Sequence, residues 1–385
     1  MKRLLLVGYY GHGNFGDDLI LETLLRVLGG QFVLSAIDFD HARCGQVTEL
    51  EAEGRFRSIP IYTERRPVLS KFNALLLAVQ MIVHGARHDI LAFGGGTQLF
   101  ETRKNGVLPL ASKAFYILAL RFFLGVRIVH LFVGMNAPRT RIGKLLLTLI
   151  VRNSDFLVLR DAHSLKQCQS LGARPERLYL AADIAYLRDP PVRSKASRQD
   201  SPLLGISIFP YFSRVEGDPA GDASYLQRVR DAIAAVEAQT GSRPRLRFIG
   251  SQVSGTLDDV AYAHSISSLF WDYDVDYIAY ECDTDAHLQR IAQLDIVIAM
   301  RLHVLISSAL AGVRQIAVLP YQTKVLEEAR ALGIAQLVDT TLPDWNVDAC
   351  FDDLLAERSA LNRSAIKALC DRIYLAKVPE RQTEL

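Results

Sequence analysis

The chain has 385 residues, of which 50% are hydrophobic, and its 44 basic and 42 acidic side chains give a formal net charge of +2 at pH 7. At roughly 100–200 residues per domain, this length predicts two domains, and so small a net charge argues against nucleic acid as the main partner. The five scattered cysteines form no C-x-x-C or His-Cys cluster, so neither a disulfide framework nor a zinc site is expected, as is typical of a reducing cytoplasm.

In chain order, short β-type runs alternate with helix-length periodic segments, which predicts parallel sheets covered by helices on both faces. No export signal is recognised before the first run. Strands are predicted over residues 3–7, 32–37, 90–93, 128–133, 156–159 and 178–180, and a helix over 18–28. The apolar stretches 72–83 and 114–124 are predicted core helices, shorter than the ~20 residues that span a bilayer. Because Arg65, Arg66 and Lys71 flank the first stretch, peripheral contact with the inner face of a membrane stays open.

A charged, proline-rich stretch over residues 188–202 then predicts a linker, after which the alternation begins again. Further strands are predicted over 203–208, 246–249, 276–280, 296–299 and 315–319, and helices over 225–239, 284–292, 304–311 and 324–332. The periodic tail 347–374 predicts a helix that crosses back onto the first domain.

The predicted fold is α/β, with two doubly wound Rossmann-like domains facing across a cleft. Residues 1–190 are predicted to form the N-terminal domain, 191–202 the linker, 203–345 the C-terminal domain, and 346–385 a helical tail. Ligands of open parallel sheets bind beyond the carboxyl ends of the strands, so the βα loops are expected to line the cleft.

The first βα loop, YYGHGNFGDD, contains a G-x-G-x-x-G pattern. A dinucleotide site is nevertheless not predicted, because Tyr10 stands where the fingerprint needs its second glycine, counted from Gly8. Asp17 and Asp18 also place two carboxylates at the helix N-terminus, where they would repel a phosphate. A plain N-cap role for Asp17 or Asp18 is the structural alternative.

The segment 294–324 carries Arg301, His303 and Lys324 just after predicted strands. If their junction is extended, Arg301 and His303 share a face and both point into the cleft. A helix beginning near Val304 then adds free N–H groups for an anion. Alternatively, Arg301 pairs with a surface carboxylate and His303 is a core residue without a role in binding. Their position at the end of a strand disfavours this interpretation.

Three further loops follow strands of the first half. In the FGGGTQLF loop, Gly95 and Gly96 allow close backbone approach and Thr97 can hydrogen-bond a hydroxyl. In the VLRDAHSL loop, Arg160 is expected either to point into the cleft or to form an ion pair with Asp161 on the surface. Asp183 follows the last strand before the linker, and its role stays open.

The motif order GNFGDD, GGG, R-D-x-x-S, a lone Asp after a strand, and R-L-H…A-G-V…PY…K resembles the polysaccharide pyruvyl transferase family over about residues 5–335. This resemblance implies a glycosyltransferase B-like fold, phosphoenolpyruvate as donor without a cofactor, and a sugar of a cell-surface polysaccharide or its lipid-linked precursor as acceptor. It associates Arg301 and His303 with donor binding and catalysis, and matches the Asp of GN-x-GD to Asp17. VGMNAP over 133–138 departs from the G-x-G-I-G-P-like turn of relatives, which puts acceptor contacts there in doubt.

Transfer of a pyruvyl group needs cations for a carboxylate and a phosphate, together with an acid and a base. We expect Arg301, Arg160 and Lys324 to bind the donor, His303 to be the acid, and Asp17 to be the base or a hydroxyl anchor. Acceptor contacts are expected from five residues of the first domain: Asn14, Asp18, Gly95, Gly96 and Thr97. No metal is expected.

Two other functions stay open. A nucleotide-sugar-dependent glycosyltransferase has the same architecture, and fold alone does not decide function, although the glutamate pair at i, i+8 of many retaining members is missing. A non-catalytic glycan-binding scaffold would use an aromatic platform, for which Trp271, Tyr273 and Tyr277 are candidates, but it would lack the acid His303.

Overall fold

A computed structural model describes residues 1–38, 54, 56–60, 70–101, 106–192, 201–253, 258–313, 315–336 and 351–375. Within these residues the N-terminal sheet has eight parallel strands: β1 (Lys2–Val7), β2 (Phe32–Asp38), β3 (Phe56–Pro60), β4 (Ile90–Gly94), β5 (Thr97–Leu99), β6 (Arg127–Met135), β7 (Phe156–Leu159) and β8 (Leu178–Leu180). Their order is β3-β2-β1-β4-β6-β7-β8, and β5 pairs with the end of β6.

The C-terminal sheet is also parallel and, in the described part of the chain, has six strands: β9 (Leu203–Ser207), β10 (Arg245–Gly250), β11 (Val275–Ala279), β12 (Ile296–Ala299), β13 (Gln315–Val318) and β14 (Ala335–Gln336). Their order is β11-β10-β9-β12-β13-β14. In both sheets the order reverses beside the first strand, at β1/β4 and at β9/β12, and such switch points are where open α/β sheets bind ligands. The fully buried sequence of β12, IVIA, shows that both faces of this sheet are covered.

Eleven α-helices connect or follow these strands in the described residues: α1 (Phe15–Leu28), α2 (Ser70–Gly85), α3 (Leu108–Leu124), α4 (Arg141–Arg152), α5 (Ala162–Ser170), α6 (Pro219–Thr240), α7 (Asp259–Ile266), α8 (Thr284–Ala292), α9 (Leu302–Leu310), α10 (Thr323–Ala331) and α11 (Asp352–Leu375). In the N-terminal domain, α2 to α5 share one hydrophobic cluster with one face of the sheet. Helices α1 and α11 share another cluster with the opposite face.

The two domains are joined by a common core rather than by the linker alone. Phe15 and Leu19 of α1 pack in one cluster with apolar residues of α8, α9 and β12. Beside this cluster, the buried Arg188 guanidinium links the two domains by donating to Glu22 Oε2 of α1 at 3.1 Å and to Thr284 Oγ1 of α8 at 3.0 Å. Because α1 belongs to the N-terminal domain and α8, α9 and β12 belong to the C-terminal domain, these contacts fix the position of one wall of the cleft relative to the other. Residues 193–200 of the predicted linker lie outside the described residues.

The C-terminal helix α11 returns to the N-terminal domain. Asn362 accepts a hydrogen bond from the Ala182 N–H at 2.9 Å and donates to the Asp183 carbonyl at 2.8 Å. Lys2 Nζ donates to the Ile373 carbonyl at 2.9 Å. The tail therefore fastens the segment after β8, which carries Asp183.

Three strands were not predicted from the sequence. β5 has three residues and β14 two, too short for a periodic signal to stand out. β3 is the edge strand of its sheet, and its FRSIP sequence mixes polar and apolar residues and ends in proline.

The prediction that residues 72–83 and 114–124 form core helices is only half right, because α2 and α3 bury one side each. Leu75, Val79 and Val83 of α2 and Phe115 and Phe122 of α3 are between 45% and 66% exposed. Among the described residues, no helix is both long enough and apolar enough to cross a membrane.

Candidate active site

A cavity of about 710 Å³ lies between the two domains and is lined from both sides. The sequence singled out ten candidate site residues, and eight of them line this cavity: Asn14, Asp17, Gly96, Thr97, Arg160, Arg301, His303 and Lys324. Residues from strand ends in both sheets thus meet at one place, as the rule for open parallel sheets requires.

The other two candidates lie elsewhere, which corrects their predicted role in acceptor binding. Asp18 is 1% exposed and accepts hydrogen bonds from the Tyr280 hydroxyl at 2.9 Å and from the Gly11 N–H at 3.4 Å. Gly95, at φ +62°, lies against Ile20, whose Cγ2 would be 2.2 Å from an added Cβ. Asp18 braces the domain interface and Gly95 packs against α1, so neither reaches a ligand in the cavity.

The N-terminus of α1 is capped by Asn14, so the alternative that Asp17 or Asp18 caps this helix is wrong. Asn14 Oδ1 accepts from the Gly16 and Asp17 N–H groups at 3.0 and 3.2 Å, while its Nδ2 donates to Gln252 Oε1 at 2.6 Å. Because its free N–H groups are used, this helix end is not an anion site. Asn14 holds the loop against the C-terminal domain, and Asp17 is left facing the cavity.

Gly16 is required because a histidine of the other domain lies against it. A Cβ at residue 16 would be 2.0 Å from His303 Nδ1. His303 belongs to the first turn of α9, whose N-cap residue Arg301 is extended at φ −78° and ψ 131°. The backbone is therefore extended at Arg301 but already helical at His303, so the junction is shorter than expected. The side chains of Arg301 and His303 nevertheless both line the cavity.

His303 faces Asp183 on its other side. His303 Nε2 is buried without a hydrogen bond and lies 3.7 Å from Asp183 Oδ2. Nδ1 is therefore the ring nitrogen left to face the cavity beside Gly16. Although burial by itself would raise the pKa of Asp183, His303 and Arg160 hold it well below its ordinary value, so the carboxylate is charged.

Arg160 is fixed by three partners. Its guanidinium donates to Asp183 Oδ2 at 3.3 Å and to Thr97 Oγ1 at 3.1 Å, and its Nε lies 3.6 Å from Asp161 Oδ2. The alternative pairing with Asp161 is thus also present, but the Arg160 side chain is only 5% exposed and is not a surface group. Gly134 makes room for it, since an added Cβ there would be 3.0 Å from the guanidinium.

Arg301 is paired with Asp259, which sequence reasoning missed. Arg301 Nε donates to Asp259 Oδ2 at 3.1 Å and Nη2 donates to Oδ1, while the guanidinium lies 3.7 Å from the centre of the Phe209 ring. The same carboxylate accepts from the Ser251 and Gln252 N–H groups at 3.0 and 3.1 Å. No local signal points to Asp259, which is the first residue of a helix. Ser251 and Gln252, in contrast, follow β10 directly and could have been found by the strand-end rule.

Asp17 and Lys324 differ from the two arginines, because neither side chain makes a hydrogen bond or ion pair within the described residues. Burial raises the pKa of Asp17 to about 6, although His303, Lys324 and Arg160 oppose the shift. Burial and the Arg160 charge lower the pKa of Lys324 to about 8, although Asp17 opposes this shift. These two side chains are therefore available to a ligand, and both titrate near neutrality.

The C-terminal domain contributes two helix ends that no side chain caps. The N-cap residues of α9 and α10, Arg301 and Gln322, make no side-chain capping hydrogen bond. Leu302, His303 and Lys324 of these first turns line the cavity. This wall of the cavity favours an anion, whereas the opposite wall presents a capped helix and the Asp17 carboxylate.

No group of three His, Cys, Asp or Glu side chains in the described ranges is arranged to bind a metal ion. The positive charge of the cavity comes from Arg160, Arg301 and Lys324, and most of it is balanced by buried carboxylates.

Solved structures with the same architecture cover nearly the whole chain. UDP-GlcNAc 2-epimerase from Methanocaldococcus jannaschii is 12% identical with a TM-score of 0.55, over 96% of this chain and 92% of that chain. The Neisseria meningitidis UDP-GlcNAc 2-epimerase bound to UDP-GlcNAc is 10% identical with a TM-score of 0.56, over 96% and 99%. Anabaena HepE in complex with UDP and glucose is 13% identical with a TM-score of 0.53, over 97% and 95%. At such identities these similarities show the fold alone, two Rossmann-like domains in a glycosyltransferase B-like arrangement.

No curated protein sequence is significantly similar to this chain. A sequence profile described as polysaccharide pyruvyl transferase, in contrast, matches residues 14–322. The match begins at the cap of α1 and ends just before α10, so it contains every residue that lines the cavity except Gly8, Tyr9 and Lys324. On this match, which covers most of the chain, the protein belongs to the polysaccharide pyruvyl transferase family.

Proposed function

We propose that this protein transfers the pyruvyl group of phosphoenolpyruvate to two hydroxyl groups of one sugar, forming a pyruvate ketal and releasing phosphate. The acceptor is a sugar of a cell-surface polysaccharide or of its lipid-linked precursor. The observation that carries the proposal is the asymmetry of the cavity, which has an anion-binding wall on one domain, a carboxylate on the other, and His303 between them.

Phosphoenolpyruvate suits the C-terminal wall because it carries a phosphate and a carboxylate. The uncapped ends of α9 and α10 supply N–H donors, and Lys324 supplies a positive charge without a competing partner in the described residues. Asp259 and Phe209 fix the plane of the Arg301 guanidinium, which makes its hydrogen bonds directional. Preorganised donors of this kind lower the cost of holding an anion.

In the proposed reaction, His303 Nδ1 gives its proton to the methylene carbon of the donor, whose double-bond electrons form the new C–H bond. The first sugar hydroxyl adds to the resulting cationic carbon and loses its proton to Asp17. Phosphate then leaves with the electron pair of the C–O bond and takes that proton from Asp17. The second hydroxyl adds to the same carbon, and its proton returns to His303. Atoms and charges balance, and the enzyme ends in its starting protonation state.

Asp183 acts through His303 in this scheme. Its charged carboxylate lies 3.7 Å from Nε2, so it favours a proton on that nitrogen and stabilises the ring when Nδ1 is protonated as well. Asp183 is therefore a positioning residue, held in place by Arg160 and by Asn362 of α11. The acceptor is expected beside Asp17, Gly96 and Thr97, on the opposite wall.

A cytoplasmic location is part of the proposal. Among the described cysteines, Cys168, Cys282 and Cys370 are free thiols, which suits a reducing compartment.

A nucleotide-sugar-dependent glycosyltransferase is the second candidate, because HepE was solved in complex with UDP-glucose and shares the architecture. An anion-binding wall would suit the diphosphate of such a donor equally well. The proposed reaction is preferred because of the family match and because His303 stands between the two walls.

The two candidates are separated by thermal-shift titration with phosphoenolpyruvate, UDP-glucose and UDP-GlcNAc, followed by phosphate release and product mass with a panel of glycosides. We expect stabilisation by phosphoenolpyruvate and a glycoside product carrying one pyruvate ketal. Stabilisation by a UDP-sugar without a response to phosphoenolpyruvate would establish the glycosyltransferase instead.

Two variants test the assigned roles once turnover is found. His303→Gln should lower kcat by about 10²–10⁴ with little change in donor affinity, because an acid acts in the transition state. Arg301→Lys should raise the donor KM, because lysine keeps the charge but cannot make the two-pronged bond to Asp259 that orients the side chain. His264→Gln, an exposed histidine of α7, is the control. Near-normal kcat in His303→Gln would leave the donor assignment standing but disprove the mechanism.

A further inference from the structure

The outer surface of the N-terminal domain has an unusual composition that the proposed chemistry does not explain. Helices α2, α3 and α4 lie side by side over one face of the sheet, with α3 packed between the other two. Their outer sides are apolar, with nine large hydrophobic side chains at 45% exposure or more: Leu75, Val79, Val83, Phe115, Phe122, Phe123, Leu124, Ile142 and Leu145. We call this surface the outer helical face. Exposed apolar surface of this extent marks an interaction site.

The exposed residues fall in stripes rather than at random. Leu75, Val79 and Val83 are spaced by four residues along α2, so they form one line along the helix. Phe115 and Phe122 are spaced by seven on α3, and Phe123 is 86% exposed. Each helix therefore buries one side in the core and presents a second apolar side outwards.

The sequence that forms this face is predominantly basic. Between Glu101 and Asp155 the sequence contains nine Lys and Arg residues and no acidic residue. The sequence between Glu64 and Asp89 contains no acidic residue either. Arg141 and Lys144 are exposed on α4 beside the apolar stripe and form no ion pair in the described part of the chain. Not all nine charges reach this face, because Lys113 donates to the Gln98 carbonyl and Arg121 is paired with Asp155 at 2.6 Å, and the excess of positive charge comes from the exposed Arg141 and Lys144.

From these observations we infer that the outer helical face docks on the surface of a lipid bilayer with anionic headgroups. Exposed Phe and Leu side chains enter the headgroup region, and the flanking cations bind the lipid phosphates, as amphipathic interfacial helices do. No described helix crosses a membrane, so the contact is peripheral. A second copy of this chain suits the face poorly, because a two-fold contact would bring the exposed Arg141 and Lys144 of both copies to the same surface.

The face extends to the mouth of the cavity. The Arg139 and Thr140 N–H groups each donate to Glu101 Oε2 at 3.0 Å, which ties the start of α4 to the segment after β5. Phe100, which lines the cavity, is 39% exposed in that segment. A bilayer on this face would thus bring a lipid-linked sugar alongside the cavity. That consequence rests on the proposed function, whereas the membrane contact itself does not.

The test is flotation of the full-length protein with vesicles of phosphatidylcholine alone and of phosphatidylcholine mixed with phosphatidylglycerol. We expect binding to the mixed vesicles, and loss of most binding when salt rises from about 0.1 M to about 1 M, because the Debye length falls from about 10 Å to about 3 Å. Arg141→Glu with Lys144→Glu should weaken binding at least about 25-fold, at about fivefold for each cation. Phe122→Ser with Phe123→Ser should weaken it at least about tenfold.

Trp271→Ser is the matched control, since Trp271 is 84% exposed on the other domain and its loss should leave flotation unchanged. The altered side chains are on the surface, and a thermal melt checks that each variant is folded. Three results would overturn the inference: no flotation with the mixed vesicles, equal flotation of wild type and both double variants, or a wild-type dimer that Phe122→Ser with Phe123→Ser converts to a monomer. Because flotation needs neither donor nor acceptor, its failure is distinguishable from failure of the proposed reaction.

Discussion

Replacing Asp17 with asparagine should make the protein more stable while removing its activity. Asp17 lies in the first turn of α1 and faces the cavity, and its carboxylate accepts no hydrogen bond within the described residues. Burial raises its pKa from 3.8 to about 6 even though His303, Lys324 and Arg160 oppose the shift. The folded protein therefore holds a carboxylate at an energetic cost, as is common where function needs a reactive group.

The size of the effect follows from the pKa shift. A carboxyl group with a raised pKa binds its proton more tightly in the folded state, so the free energy of unfolding falls as pH rises from about 4 to about 6. At about 1.4 kcal/mol per pKa unit, the cost at pH 8 is at most about 3 kcal/mol, and at pH 4.5 it is about 1 kcal/mol. Asparagine resembles the neutral acid in shape, so Asp17→Asn should recover most of this difference.

Urea unfolding of wild type and Asp17→Asn at pH 8 and at pH 4.5 measures the effect. Glu357→Gln, which replaces an exposed carboxylate of α11, is the control. The same Asp17→Asn protein should lose kcat by about 10²–10⁴, because the base is gone. If Asp17→Asn is no more stable than wild type at pH 8, or if its advantage is the same at both pH values, the desolvated carboxylate described for this site is disproved.

Further predictions concern the contact between the domains and the titration of the site. Gly16→Ala should lower kcat at least about tenfold, because its Cβ would be 2.0 Å from His303 Nδ1. Gly30→Ala, which has open space around it, is the control and should have no effect. Equal activities of the two variants would mean that the position of His303 is not critical. The pH profile of kcat/KM should rise through about 6 as Asp17 loses its proton and fall above about 8 as Lys324 loses its own; a flat profile from pH 5 to 9 would contradict both roles. Turnover should survive EDTA, because the arginines and lysine supply the positive charge, and recovery of a chelated enzyme by a divalent ion would refute this.

The interior of each domain could be predicted from the sequence because the signals are local. β7, β8 and β12 have the bounds predicted for them, and α8 does too, since each is a short apolar or amphipathic run between polar residues. The approximate place of the site followed as well, because βα loops of parallel sheets always meet at the carboxyl edge. Eight of ten candidates therefore line one cavity.

What each candidate does there was decided by the tertiary structure. Asp17 and Asp18 are neighbours in sequence, yet α1 turns one into the cavity and the other onto Tyr280, which is 262 residues away. Arg301 was predicted as an available cation but is paired with Asp259, and Arg160 is paired with Asp183. Both pairings join segments of one domain that are distant in sequence, whereas the Asp18–Tyr280 contact joins the two domains, so no local pattern predicts any of them.

The same limit applies to the outer helical face. The sequence determined that residues 72–83 and 114–124 are apolar and too short to span a bilayer, which is compatible with burial on all sides. Only the packing of α2 and α3 on one side of a single sheet decided which half of each helix is buried. Hydrophobic periodicity determines which secondary structure a segment can form. Which of its apolar side chains are buried and which are exposed depends on how the helices pack on the sheet.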